Sequence, residues 1–89
     1  MDNIKEFERR IKAVANGRRL KILKYLKTGK KISVGDIADL INLSIKSTSR
    51  HLQVLFSSNI VERDQRSVEV YYWLSDSLTP EIRVILNEL

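Results

Sequence analysis

The residues best able to do chemistry in this 89-residue chain crowd into one stretch, Ser44 to Leu55, SIKSTSRHLQVL. It holds the only histidine, His51, beside four hydroxyl residues, two basic residues and a glutamine. Two chemistries use such a set. One is nucleophilic catalysis, which needs a serine, a histidine and a carboxylate that orients the ring, together with an oxyanion hole. The stretch contains no carboxylate, and a regular helix offers no oxyanion hole. Nor does the rest of the sequence show a paired acid and base or a glycine-rich phosphate loop, so an enzyme is not expected. The other chemistry is reading a polyanion.

On a helix, at steps of about 100° per residue, Thr48, Leu52 and Leu55 fall together, and Lys46, Arg50 and Gln53 fall on the opposite side. Arginine and lysine donate to guanine O6 and N7, and glutamine pairs with adenine N6 and N7. Ser47 and Ser49 flank that face, and their hydroxyls suit phosphate oxygens. An ordinary solvated face also carries Lys, Arg and Gln, so the stretch alone leaves both readings open. His51 borders the core side. It reads first as a structural residue and second as a phosphate or base contact, not as a catalyst.

The surrounding elements weigh between these readings. Ile4, Phe7, Ile11 and Val14 recur at helical spacing over Asn3 to Ala15. Asn16-Gly17 is expected to break that helix by adopting left-handed backbone. Arg18 to Leu26 resumes the pattern, Thr28-Gly29 ends it, and Lys31 to Ser33 is extended. Ser33 and Asp36 resemble a capping box at the start of a third helix over Val34 to Ile41. Asn42-Leu43 turns the chain, and Ser44 caps the fourth helix, which ends at Ser57-Ser58-Asn59.

Ile60 to Arg63 and Val68 to Leu74 are then rich in β-branched and aromatic residues, which predicts a hairpin with its tip at Asp64 to Ser67. Alternation sets Tyr72 opposite Tyr71 and Trp73 in facing, so at least one of these rings should pack on the core. Thr79 is expected to cap a last helix, with Pro80 at its first position and an apolar face of Ile82, Ile85, Leu86 and Leu89.

Two short helices across a tight turn, followed by a hairpin, describe a winged helix-turn-helix. The expected fold is therefore mostly α with a β-hairpin wing: five helices and a small antiparallel sheet of two or three strands, in one domain over 1–89. In that frame Lys46, Arg50 and Gln53 are candidates for base readout. Ser47, Ser49, Arg18, His51 and the wing residue Arg66 are candidates for the DNA backbone, and Arg63 at the strand end could serve likewise.

Charge agrees with a polyanion partner. The formal net charge is +5, and eleven of the sixteen basic residues precede Ile32, against three acidic ones there. The chain has no cysteine, so disulfides and thiolate metal sites are excluded, and one histidine cannot assemble a Cys/His zinc site. No apolar run approaches the roughly 20 residues that span a bilayer, and the charged start MDNIKEFERR does not read as a signal peptide. A cytoplasmic protein without cofactor is expected.

Three segments, KAVANGRRLKILKYL, ISVGDIADLINLSIKSTSRHLQVLFSSNIVERD and VEVYYWLS, resemble the arsenic-repressor type (ArsR-type) family of winged-helix transcription regulators. The similarity runs from about Ile11 to Ser75 and is most specific at Ser49-Arg50-His51-Leu52 with Val54-Leu55. It implies a homodimeric repressor on an inverted-repeat operator, with the first and last helices, 1–15 and 79–89, building the dimer. The dimer residues would be Ile4, Phe7 and Ile11 with Ile82, Ile85, Leu86 and Leu89. From the residues alone, that last apolar face could instead pack within the monomer.

Metal-responsive members carry a Cys-Val-Cys-Asp type motif at the start of the third helix. Here the same place reads Ser33-Val34-Gly35-Asp36, and the last helix has no histidine, so no metal is expected. The alternatives to a specific DNA-binding regulator are a winged-helix protein-interaction module and a nonspecific architectural nucleic-acid-binding protein.

Overall fold

A computed structural model describes residues 3–89, so the first two positions of the expected 1–15 helix lie outside the described residues. The order is α1 (Asn3–Val14), α2 (Gly17–Leu26), β1 (Ile32–Ser33), α3 (Val34–Ile41), α4 (Ile45–Ser57), β2 (Val61–Arg66), β3 (Glu69–Leu74) and α5 (Pro80–Asn87). The three strands form one antiparallel sheet in the order β1-β3-β2. Ile32 pairs with Tyr72, and Val61 to Arg66 run against Leu74 to Glu69.

Local chemistry sets most boundaries. Ser33 and Ser44 start α3 and α4 by accepting from the backbone N–H of Asp36 and Ser47, at 3.2 and 3.1 Å. Asn42 and Asn59 end those helices in left-handed backbone. Behind them the amides of Leu43 and Ile60 reach back to the carbonyls of Ala38 and Leu55, closing Schellman-type ends in which asparagine takes the place of glycine. Gly29 ends the turn after α2 at φ +82°.

The break between α1 and α2 works otherwise than expected. Asn16 is extended (φ −157°) and its side chain accepts from Arg19 N–H, so the new start is made by a cap, not by left-handed backbone.

The core draws on every helix: Ala13 and Val14, Ile22, Leu23 and Leu26, Ile37 and Ile41, Leu52 and Leu55, then Ile60, Val61, Tyr72, Ile82 and Leu86. Tyr72 is the inward ring, and Tyr71 and Trp73 face the other way. Trp73 lies under the Lys31 ammonium, 4.2 Å from the ring centroid.

Three expectations are corrected. The strands run further than composition suggested, so Asp64, Gln65 and Arg66 lie in β2 and the turn is Ser67-Val68. Ser67 takes positive φ (59°) there, as the first central residue of a type II′ hairpin does. Thr79 stands at the start of α5 but makes no side-chain cap; its hydroxyl donates to Glu81. Finally, Ile82 and Leu86 are not available to a partner: at 1% and 6% exposure they belong to the chain's own core. A short helix cannot stand without burying its stripe, and α5 buries it here, helped by an ion pair from Arg10 on α1 to Glu81.

Candidate nucleic-acid interface

The rotation of α4 is set by its buried side. Thr48, Leu52 and Leu55 are fully buried, and the same geometry leaves Lys46, Arg50 and Gln53 in solvent, with Ser47 and Ser49 half-buried at the edges. The three candidate readers are therefore brought together on one face. α3 packs against α4 as the other arm of the turn unit. Below, Arg63 lies over the Phe56 ring at 3.9 Å, locking β2 to the end of α4. That contact uses the Arg63 guanidinium structurally.

His51 is held by a residue that sequence reasoning passed over. Arg19 donates from Nε to the Ala13 carbonyl (2.6 Å), satisfying an orphan acceptor at the end of α1, and lies 3.2 Å through a terminal nitrogen from His51 Nδ1. A guanidinium can only donate, so Nδ1 is the acceptor and the ring is neutral with its proton on Nε2. Burial, then the charges of Arg19 and Arg18, lower the His51 pKa below its ordinary value. Arg19 thus ties three helices together, while Arg18 beside it stays exposed at the start of α2.

Two helices lack an acidic residue in their first turn, α2 and α4, whereas α1, α3 and α5 carry Glu6, Asp36 and Glu81 there. Basic side chains at a helix start oppose the macrodipole at about 0.3–1 kcal/mol each. Arg18 and Arg19 on α2 and Lys46 on α4 bear that cost, and neither start has a carboxylate to offset its positive end. At the wing, Arg66 pairs with Asp64 (3.3 Å) and leans on Tyr71 at 5.5 Å. Both contacts are exposed and leave the guanidinium within reach of a ligand.

Sequence reasoning also missed the opposite wall. An open groove runs between α1 and α4, lined by Lys5, Arg9 and Lys12 on one side and by Lys46, Arg50 and Gln53 on the other, with Glu8 the acidic residue in its lining. The signal was present in the spacing of Lys5, Arg9 and Lys12, which is as helical as that of the apolar positions. Among the described residues no group of three or more histidine, aspartate or glutamate side chains could hold a metal ion, and no helix is long and apolar enough to cross a membrane.

Comparison with known proteins decides the family. The family model for "Bacterial regulatory protein, arsR family" matches residues 16–63, from the cap of α2 to the first residues of the wing. The chain belongs to the ArsR family. The transcriptional repressor SdpR of Bacillus subtilis is 35% identical over 77 residues, covering 85% of this chain and 84% of that protein. The structure of reduced HlyU from Vibrio cholerae superposes with a TM-score of 0.80 at 31% identity, covering 98% of this chain and 87% of HlyU, which is a transcriptional activator. The homodimeric winged helix-turn-helix DNA-binding domain of a Mycobacterium bovis protein superposes with a TM-score of 0.79 at 28% identity, covering 96% and 75%. This ArsR-family chain is accordingly a winged helix-turn-helix DNA-binding protein of the transcription-regulator class, and its relatives are regulators, not enzymes.

Proposed function

We propose that this ArsR-family chain is a sequence-specific repressor that binds an inverted repeat in double-stranded DNA as a homodimer. The observation that carries the reading is the outer face of α4: Lys46, Arg50 and Gln53 are exposed together because Thr48, Leu52 and Leu55 are fully buried behind them. A helix so oriented enters a major groove with base-reading side chains forward. Arg50 and Lys46 serve guanine edges and Gln53 an adenine edge.

Ser47, Ser49, Arg18 and the wing's Arg66 take the phosphates. His51 has its Nδ1 engaged by Arg19, so its phosphate contact falls to Nε2. The dimer uses the apolar surface that the monomer leaves open. Ile4 and Phe7 on α1 are 80% and 46% exposed, Ile11 is half-buried, and Ile85 and Leu89 are half-buried against the core. A two-fold axis through that surface sets two α4 helices on half-sites of a palindrome. Repression follows from occupancy: a dimer seated on an operator excludes polymerase. The site of action is the cytoplasm of a bacterial or archaeal cell, where such a duplex is found.

Selection from a random duplex pool with the purified protein, at two salt concentrations, tests this. Enrichment of an inverted repeat supports it. Salt-sensitive binding without enrichment would instead mean an architectural protein, and absence of binding a protein-interaction module. A reporter placed downstream of the enriched repeat should fall when the chain is expressed.

A further inference from the structure

The first helix carries charge that none of the proposed DNA contacts uses. α1 divides its side chains three ways. Ala13 and Val14 enter the core, Ile4 and Phe7 leave an apolar edge in solvent, and Lys5, Arg9 and Lys12 line the groove shared with α4. Arg10 is turned away to Glu81. The basic edge is therefore separate from the apolar one, and it faces the same space as Lys46 and Arg50.

We infer that α1 is a third DNA-contacting element, in which the Lys5–Arg9–Lys12 edge binds phosphates of the strand that borders the major groove entered by α4. This rests on the proposed role of α4 and adds a contact to it. Three observations support a nucleic-acid backbone as the occupant. The groove is open and measures about 1210 Å³, above the roughly 300–1,000 Å³ of small-molecule pockets, so it suits a polymer laid along it. Lys5 and Lys12 lie seven residues apart, about 10.5 Å at the helical rise, which matches about three phosphate steps of one strand at about 3.4 Å of axis per phosphate.

Arg9 and Lys12 are also weakly engaged. The Arg9 side chain makes no hydrogen bond or ion pair among the described residues, and the Lys12–Glu8 pair, at 3.6 Å, is well exposed at both ends. Such a pair contributes little and gives way to phosphate. Glu8 then acts against binding, as the one anion in an otherwise cationic lining.

The test compares wild type with Glu8→Gln, Arg9→Gln, Lys12→Gln and Arg50→Ala. Affinity is measured on a mixed-sequence duplex of about 30 base pairs, long enough for two half-sites a turn apart, and on the duplex enriched by selection, each across a salt series. Arg9→Gln and Lys12→Gln should weaken both duplexes alike and lower the slope of log K against log salt by about 0.9 for each phosphate no longer neutralised. Glu8→Gln should tighten both duplexes several-fold and steepen the slope, a gain that misfolding cannot produce. Unchanged affinity and slope in all three α1 variants overturns the inference, even where Arg50→Ala removes the preference for the enriched duplex. The converse, α1 effects with no loss of preference in Arg50→Ala, keeps the α1 contact and removes the readout role of Arg50. A wild-type chain that binds neither duplex overturns both.

Discussion

Thr48 is the fully buried residue of α4 whose side chain is polar, and among the described residues its hydroxyl has no hydrogen-bond partner. Replacing it by valine exchanges the orphaned oxygen for a methyl of nearly the same size. Mutational data put the cost of burying an unsatisfied hydroxyl at about 1–3 kcal/mol. Threonine and valine have nearly equal helix propensity, so the backbone contributes little to the difference. Taking the low end, because a helix can adjust slightly, Thr48→Val should stabilise the fold by about 1 kcal/mol. For a domain of this size that is a rise in Tm of roughly 4–8 °C.

Thr48→Ser gives the opposite control. It keeps the orphaned hydroxyl and deletes a buried methyl, which costs about 0.8 kcal/mol or more with the cavity included. The assay is urea unfolding at fixed protein concentration, since self-association would make stability concentration-dependent. A valine variant equal to or less stable than wild type, with unchanged m-value, would refute the reasoning. The hydroxyl would then have a partner in solution, and the core behind Arg50 would be held partly by a polar bond.

Further outcomes are expected elsewhere. His51 has a folded pKa lowered from 6.5, so its neutral pairing with Arg19 supports stability in full above that value, and the support is lost as pH falls through 6.5 to the folded value. His51→Gln keeps an acceptor for Arg19 without titrating, and should flatten the pH dependence of the urea midpoint over that range. At Glu81, burial pushes the carboxyl pKa up, but hydrogen bonds from Thr79 and Arg10 and the Arg10 charge outweigh it and hold the value below 4.5. That pairing is complete above 4.5 and is lost below it, as pH falls through the folded value. Arg10→Met should therefore cost about 1.5–3 kcal/mol at neutral pH and much less in acid, measured by thermal melts at both pH values. Phe7→Glu, on the exposed apolar edge of α1, should leave the monomer fold unchanged by circular dichroism and abolish self-association in sedimentation; a dimer that survives would place the interface elsewhere.

The sequence alone was enough to place the helices, because capping and apolar periodicity act within one or two turns. Ser33 and Ser44 accept where their positions required, and the rotation of α4 follows from Thr48, Leu52 and Leu55. The parity of β3 likewise set Tyr72 apart from Tyr71 and Trp73, but packing decided that Tyr72 is the ring that enters the core. Boundaries were less legible where two local mechanisms compete. Asn16 can cap or turn left-handed, and the polar run Asp64 to Arg66 can be loop or strand. Pairing with β3 across the hairpin decides the second case.

Only tertiary packing decided which apolar face meets which. Ile82 and Leu86 enter the chain's own core, while Ile4 and Phe7 stay outside. An amphipathic stripe says that a face must be buried, but not against what. The same holds for charge: Arg19 reaching His51 across 32 positions, and the α1 lysines sharing a groove with Arg50, depend on the angle at which the helices cross. That angle is set by the shapes of many side chains at once, and no short stretch of sequence contains it.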